Sequence, residues 1–221
     1  MQGKEIIEEF KTVVSGRTFD ALLPPILFVA ANSAFGLNPA VLLSLGFALS
    51  LGITRMLRRQ NWKYALGGFA AVSFASGLAY LTRTAAGYFL PAIAGSAGLA
   101  LLSLASLAAG KPLAAWASHL TRGWPLKWFW RKDVKPAYSE VTVFWSIYLV
   151  SRLVVQVNLY RSGDAAGLAW ANLLLGWPVI AVVLTGSYIY GVWRLRRLHG
   201  PSVEEFKAGA KPPWKGQTRG F

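Results

Sequence analysis

Residues 88–110 read YFLPAIAGSAGLALLSLASLAAG, twenty-three consecutive positions without a charged side chain. At about 1.5 Å of helix rise per residue, such a run crosses a hydrocarbon core about 30 Å thick. Five further apolar stretches flank it, at 20–35, 39–56, 64–82, 140–160 and 166–193. The spacing predicts six membrane-crossing helices, paired as three hairpins: an all-α, polytopic transmembrane bundle occupying residues 18–197. The first span is the shortest and carries Pro24 and Pro25, so neighbouring groups must satisfy the carbonyls that these prolines leave free.

Composition agrees. Of 221 residues, 54% are hydrophobic and 14% charged, well below the quarter or so that is charged in a soluble domain. Cysteine is absent, which excludes disulfides, thiolate zinc sites and cysteine-held iron–sulfur clusters. Residues 1–10 carry Glu5, Glu8 and Glu9 and no apolar core of a secretory signal, so the first span is expected to target the chain.

The basic residues set the orientation. Twenty of the twenty-three lie in the two end segments, 1–17 and 194–221, and around the connections near 58 and 111–135; the opposite connections carry only Arg83 and Arg161, and Arg152 lies inside the fifth span. The positive-inside rule then places both ends in the cytoplasm, with six spans between them. The expected location is a bacterial inner membrane.

Residues 1–17 set Ile6, Ile7, Phe10, Val13 and Val14 at helical spacing against charged neighbours, the pattern of an amphipathic helix lying in the interface. The loop 111–135 interleaves Trp116, Trp124, Trp128 and Trp130 with six cations. Indoles favour the headgroup level and cations favour anionic lipid, so Lys127, Arg131, Lys132 and Lys135 are candidate contacts to anionic headgroups on the cytoplasmic face. Stacking on single-stranded nucleic acid is the weaker reading, and no nucleic-acid partner is expected. Residues 198–221, rich in proline and glycine, are expected to form a disordered basic tail.

Two patterns bear on packing. Pro39, Ala40, Ser44, Gly46, Ala48 and Leu49 recur 52 residues later as Pro91, Ala92, Ser96, Gly98, Ala100 and Leu101; this is either a parallel repeat of helical hairpins or chance similarity between helices rich in alanine and leucine. Gly67, Ala71, Ala75 and Ala79 form a further small-residue seam, the means by which helices approach closely in lipid.

One charge stands deep in a span. Arg152 lies eight residues before Tyr160, or about 12 Å from the outer end of its helix. Gln156 is one turn further out on the same face, and Asn172 and Asn32 reach a similar depth from the sixth and first spans. Arg152, Gln156, Asn172 and Asn32 are the candidate intramembrane polar site. Two readings stay open: mutual satisfaction by interhelical hydrogen bonds, or a site for an anion or headgroup. No acidic residue lies deep in a span, and His119 and His199 lie near span ends. No metal-ligand spacing, nucleophile elbow or phosphate loop appears, so no catalytic residue, cofactor or metal is expected, and the chain is expected not to be an enzyme.

The segments Phe19-Asp-Ala-Leu-Leu-Pro-Pro-Ile-Leu-Phe28, Ala65-Leu-Gly-Gly68, Tyr88-Phe-Leu-Pro91, Lys111-Pro-Leu113, Asn172-Leu-Leu-Leu-Gly-Trp-Pro178 and Gly186-Ser-Tyr-Ile-Tyr190 carry a resemblance by their order and spacing. Across residues 18–197 the chain resembles the intracellular septation protein A (YciB-like) inner-membrane proteins, and more closely their actinobacterial-type relatives of unknown function. That resemblance implies a multi-pass protein concerned with cell-envelope integrity or division, with no established catalysis and no site residues to carry over. The tryptophan-rich loop and long tail depart from it. Three functions follow: an envelope or membrane-homeostasis protein acting through lipids and membrane-protein partners or copies of itself, a small-solute or anion transporter or channel using Arg152, or an accessory subunit of a larger membrane complex.

Overall fold

A residue with positive φ is needed wherever one helix must reverse into the next within a single position, and Gly36, at φ 83°, does this between the first two helices. The computed structural model describes residues 16–57, 62–217 and 220–221, without the side chains of 16–22 and 64–65. The expected amphipathic helix over 1–17 therefore falls almost wholly outside the described residues.

The described residues form α1 (Gly16–Phe35), α2 (Leu37–Leu57), α3 (Trp62–Thr82), a 3-10 turn (Ala85–Phe89), α4 (Leu90–Ala108), α5 (Leu113–Arg122), α6 (Leu126–Phe129), α7 (Lys135–Arg161), α8 (Ala165–Leu174), α9 (Trp177–Leu198) and α10 (Val203–Lys207), with no strand among them. Four helical stretches, Leu37–Leu57, Ala85–Ala108, Lys135–Arg161 and Ala165–Leu198, are long and apolar enough to cross a membrane, and Leu23–Phe35 and Leu66–Thr82 are shorter apolar helices. The protein is an all-helical membrane protein.

Two units share the chain: residues up to Ile93 with Gln156–Leu173, and Ala94–Val155 with Leu174–Phe221. In the first, α2 packs against α1 and α3, and the 3-10 turn packs against α3. Its core joins Phe28, Tyr88, Phe89 and Leu168 to the alanines at 31, 40, 75 and 79. Phe28 and Tyr88 stack with ring centroids 4.3 Å apart. Of the recurring small residues, Ala40, Ser44 and Ala48 are buried on α2 and Ser96 and Ala100 on α4, while Gly46 and Gly98 are exposed. A small side chain admits a neighbouring backbone where lipid gives no hydrophobic drive.

In the second unit, Trp128, Phe129, Tyr138 and Val141 form a core with Ala114, Ala115, Leu195 and Val203. Here the structure corrects two expectations. The loop 111–135 folds into α5 and α6, and Trp128 is fully buried, donating its indole N–H to the Pro201 carbonyl at 2.9 Å. Only a partner inside the protein lets an indole leave the interface at no cost.

The second correction concerns 198–221, which is ordered where described. Ser202 and Glu205 form a capping box at α10, and Glu205 also accepts from the backbone N–H of Lys215 (2.7 Å) and Gly216 (3.3 Å). The Gln217 side-chain oxygen accepts from Val203 N at 3.1 Å. The proline and glycine content suggested a free chain, but a single carboxylate closes the segment into a loop by gathering several backbone donors.

Those donors, Ser202 first and then Lys215, hold the Glu205 carboxyl below the usual carboxylate range. A depressed folded value means that the stabilisation is present above the unfolded carboxylate value, about 4.3, and is lost as pH falls through the folded one. Protection from hydrogen exchange over 203–217, relative to the intrinsic rate at each pH, should therefore be flat from neutral pH down to about 5 and fall in acid. Glu205→Gln should be loose at every pH. Equal protection in the variant and the native chain at neutral pH would contradict this role.

Candidate functional site

The side of α7 facing the last span carries Trp145, Tyr148, Arg152 and Gln156, three or four residues apart and so stacked along one face. The span they meet is interrupted. α8 stops at Leu174 and α9 starts at Trp177, with Gly176 as a buried N-cap (φ −83°, ψ −125°) that has no side-chain cap. Pro178 accounts for the break: it lacks an N–H and its ring opposes the carbonyl four residues earlier, at Leu174.

A broken helix frees carbonyls, which in an apolar solvent need a donor from the protein. Tyr148 supplies one. Its hydroxyl donates to the Leu175 carbonyl, inside the interruption, and Arg152 Nη1 donates to the Tyr148 hydroxyl at 3.5 Å. One turn below, Trp145 donates its indole N–H to Ser187 Oγ on α9 at 2.9 Å. Arg152 is half-buried.

The first unit holds the remaining candidates. Gln156, fully buried, donates from Nε2 to Asn172 Oδ1 at 2.9 Å, and Asn172 donates to the Leu168 carbonyl at 2.8 Å. Gln156 Oε1 is buried without a hydrogen-bond partner among the described residues. Asn32 is half-buried on α1, and its side chain joins neither of those bonds. The structure thus brings Gln156 and Asn172 together and places Arg152 with Tyr148.

The four cationic candidates separate in the same way. Lys127 and Lys132 are exposed and Lys135 is half-buried. Arg131 is engaged: its guanidinium binds both oxygens of Asp133 (2.8 and 2.6 Å) and lies 5.0 Å from the Trp214 ring centroid and 5.9 Å from that of Phe206. Asp133 raises the Arg131 pKa further above its ordinary value.

Sequence reasoning missed a cluster near the start of α7. Arg194 grips Glu140 with Nε to Oε2 at 2.8 Å and Nη2 to Oε1 at 2.9 Å, and the Tyr190 hydroxyl donates to Oε2 at 2.8 Å. The signal was present as one carboxylate at the end of a span whose partner helix ends in arginines. Bidentate geometry of this kind ties α7 to α9 firmly. Among the described residues no group of three or more histidine and carboxylate side chains stands together. The arrangement around Tyr148 and Arg152 can hold an anion or order a broken helix; it offers no acid and base pair for proton transfer.

Removing the Tyr148 hydroxyl strands the Leu175 carbonyl, so Tyr148→Phe should lower the thermal midpoint in detergent by the equivalent of about 1 to 2 kcal/mol. Arg152→Gln should cost a similar amount, about 1 to 2 kcal/mol. A midpoint unchanged in Tyr148→Phe would show that the interruption does not depend on this bond.

No curated protein and no solved structure matches the chain. Residues 15–197 do match a family, the one described as "Protein of unknown function (DUF3159)", and the chain belongs to that family.

Proposed function

We propose that this is a non-enzymatic inner-membrane protein of six spans, with both ends in the cytoplasm, that serves cell-envelope integrity, division or membrane homeostasis by engaging anionic lipid and other membrane proteins. The observation that carries the reading is the sorting of side chains in the second unit. Trp128 is buried in the core and Trp116, Trp124, Trp130 and Trp214 are half-buried, while Lys127, Lys132, Arg196, Arg197, Lys207, Lys211 and Lys215 stay exposed. A rigid aromatic base with cations around it suits a negatively charged leaflet.

The six-span, both-ends-in arrangement is supported by the twenty-to-two distribution of basic residues and by six apolar helical stretches in the corresponding order. The division role rests on the resemblance to the septation proteins. A second reading, an anion transporter or channel, is favoured by one observation: Arg152 and the N-terminal end of α9 are joined through Tyr148 beside the interruption, and both favour negative charge. Arg152→Lys separates the two, since it keeps the charge but loses the planar fork.

Each cation near an anionic leaflet adds about 1 kcal/mol, or about fivefold in affinity. The full chain with Lys127→Gln and Lys132→Gln should therefore retain several-fold less phosphatidylglycerol through purification than the native chain, and the difference should shrink in high salt. Arg131→Gln should act differently, loosening residues 203–217 because its charge is spent inside the protein. Unchanged anionic lipid in the double variant, or salt-insensitive retention, would overturn the lipid reading.

A further inference from the structure

Phe221 is not laid loosely on the surface. Its ring stacks on Tyr138, with centroids 4.2 Å apart and planes 9° from parallel. The other side of the slot is the α9 backbone at Gly191, where an added Cβ would fall inside the van der Waals envelope of the Phe221 ring. Only a residue without a side chain leaves room there.

The residue before it is held as closely. Gly220 has φ 79° and donates its N–H to the Tyr188 hydroxyl at 3.3 Å. A Cβ at Gly220 would stand 2.7 Å from Arg122 Nη1 and 3.0 Å from Trp124 Cη2. The slot therefore selects twice: it admits an aromatic ring between Tyr138 and Gly191, and it demands glycine just ahead of that ring. Two rings in parallel contact gain beyond their buried area, and the backbone hydrogen bond fixes the register.

We infer that this slot is a recognition site for a glycine–aromatic segment, filled here by the chain's own Gly220–Phe221 and able to take the same segment from a second copy. The ligand that fits is a segment of the chain itself, so every copy carries it. Exchange of one segment between identical chains creates no new kind of contact, which makes it a low-cost route to a dimer. The link to the rest of the chain favours exchange, because residues 208–213, between α10 and Trp214, are exposed.

The test uses two full-length variants. Phe221→Ala has an open slot and no ligand; Gly191→Leu has a closed slot and a free ligand segment. Mixed in micelles, they should form a one-to-one pair, at an apparent affinity at least tenfold tighter than the self-association of either alone. No pair, or equal association of each variant with itself, would overturn the inference. Should Gly191→Leu fail to fold, a labelled peptide of residues 212–221 serves in its place. It should bind the Phe221→Ala chain and be excluded from the native chain, and a peptide carrying the same Phe221→Ala change should not bind. Equal binding by both peptides, or by neither, would overturn the inference equally.

Discussion

Within a hydrocarbon core, water is not available to answer a polar group, so every donor and acceptor that a helix carries inward needs a partner from the protein. α7 shows how far this constraint reaches. Tyr138, Thr142 and Ser146 form one polar ladder: Thr142 donates to the Tyr138 carbonyl and accepts from Ala114 N, and Ser146 meets Ser103 at 2.7 Å. On another face Trp145 and Tyr148 reach Ser187 and Leu175. At the beginning of the helix Glu140 is gripped by Arg194 and Tyr190. The helix is the polar spine of its unit, and the interruption at Leu175 and Gly176 is tolerable because Tyr148 stands opposite it.

At one end of the same helix the balance reverses, and polar surface becomes plentiful. Here the chain makes a small aromatic core of the kind a soluble protein makes. Trp128, Phe129 and Tyr138 meet edge to face, with Phe129 and Tyr138 centroids 4.9 Å apart, and the segment after Leu198 closes over them. Arg131 and Glu205 are the charged groups used up in this closure. The cations left outside give this end of the unit its positive surface: Lys127 and Lys132 stay exposed, whereas Arg131 is taken up in packing.

Much of this was legible in the sequence because the bilayer imposes a coarse code. Runs of apolar residues located the helices to within a few positions, as at Leu37–Leu57 and Lys135–Arg161. Of the small residues at fourfold spacing on α3, Ala75 and Ala79 are buried and Gly67 and Ala71 are exposed. Gln156 and Asn172 were grouped from depth alone, and they do bond. The rest depended on contacts distant in sequence. Composition cannot distinguish a tryptophan facing lipid from Trp128, which is buried because Pro201, seventy-three residues away, accepts its N–H. Nor can it show that a tail rich in glycine and proline is gathered by Glu205. Asn32 was grouped with Gln156 and Asn172 on the same ground, and depth says nothing of the direction in which a side chain leaves its helix. Pro178 was visible, yet its effect was read as part of one long span rather than as a break.

The central claim is that the positively charged, aromatic end of the second unit lies against the inner leaflet. The absence of cysteine makes this directly measurable, because a single introduced thiol has no background. Ser162→Cys and Lys132→Cys, each alone in the full chain, should be challenged in intact spheroplasts with a maleimide that cannot cross the membrane. Labelling of Ser162→Cys from outside, with Lys132→Cys labelled only after the membrane is opened, is the expected result. Labelling of Lys132→Cys in intact spheroplasts would contradict the account.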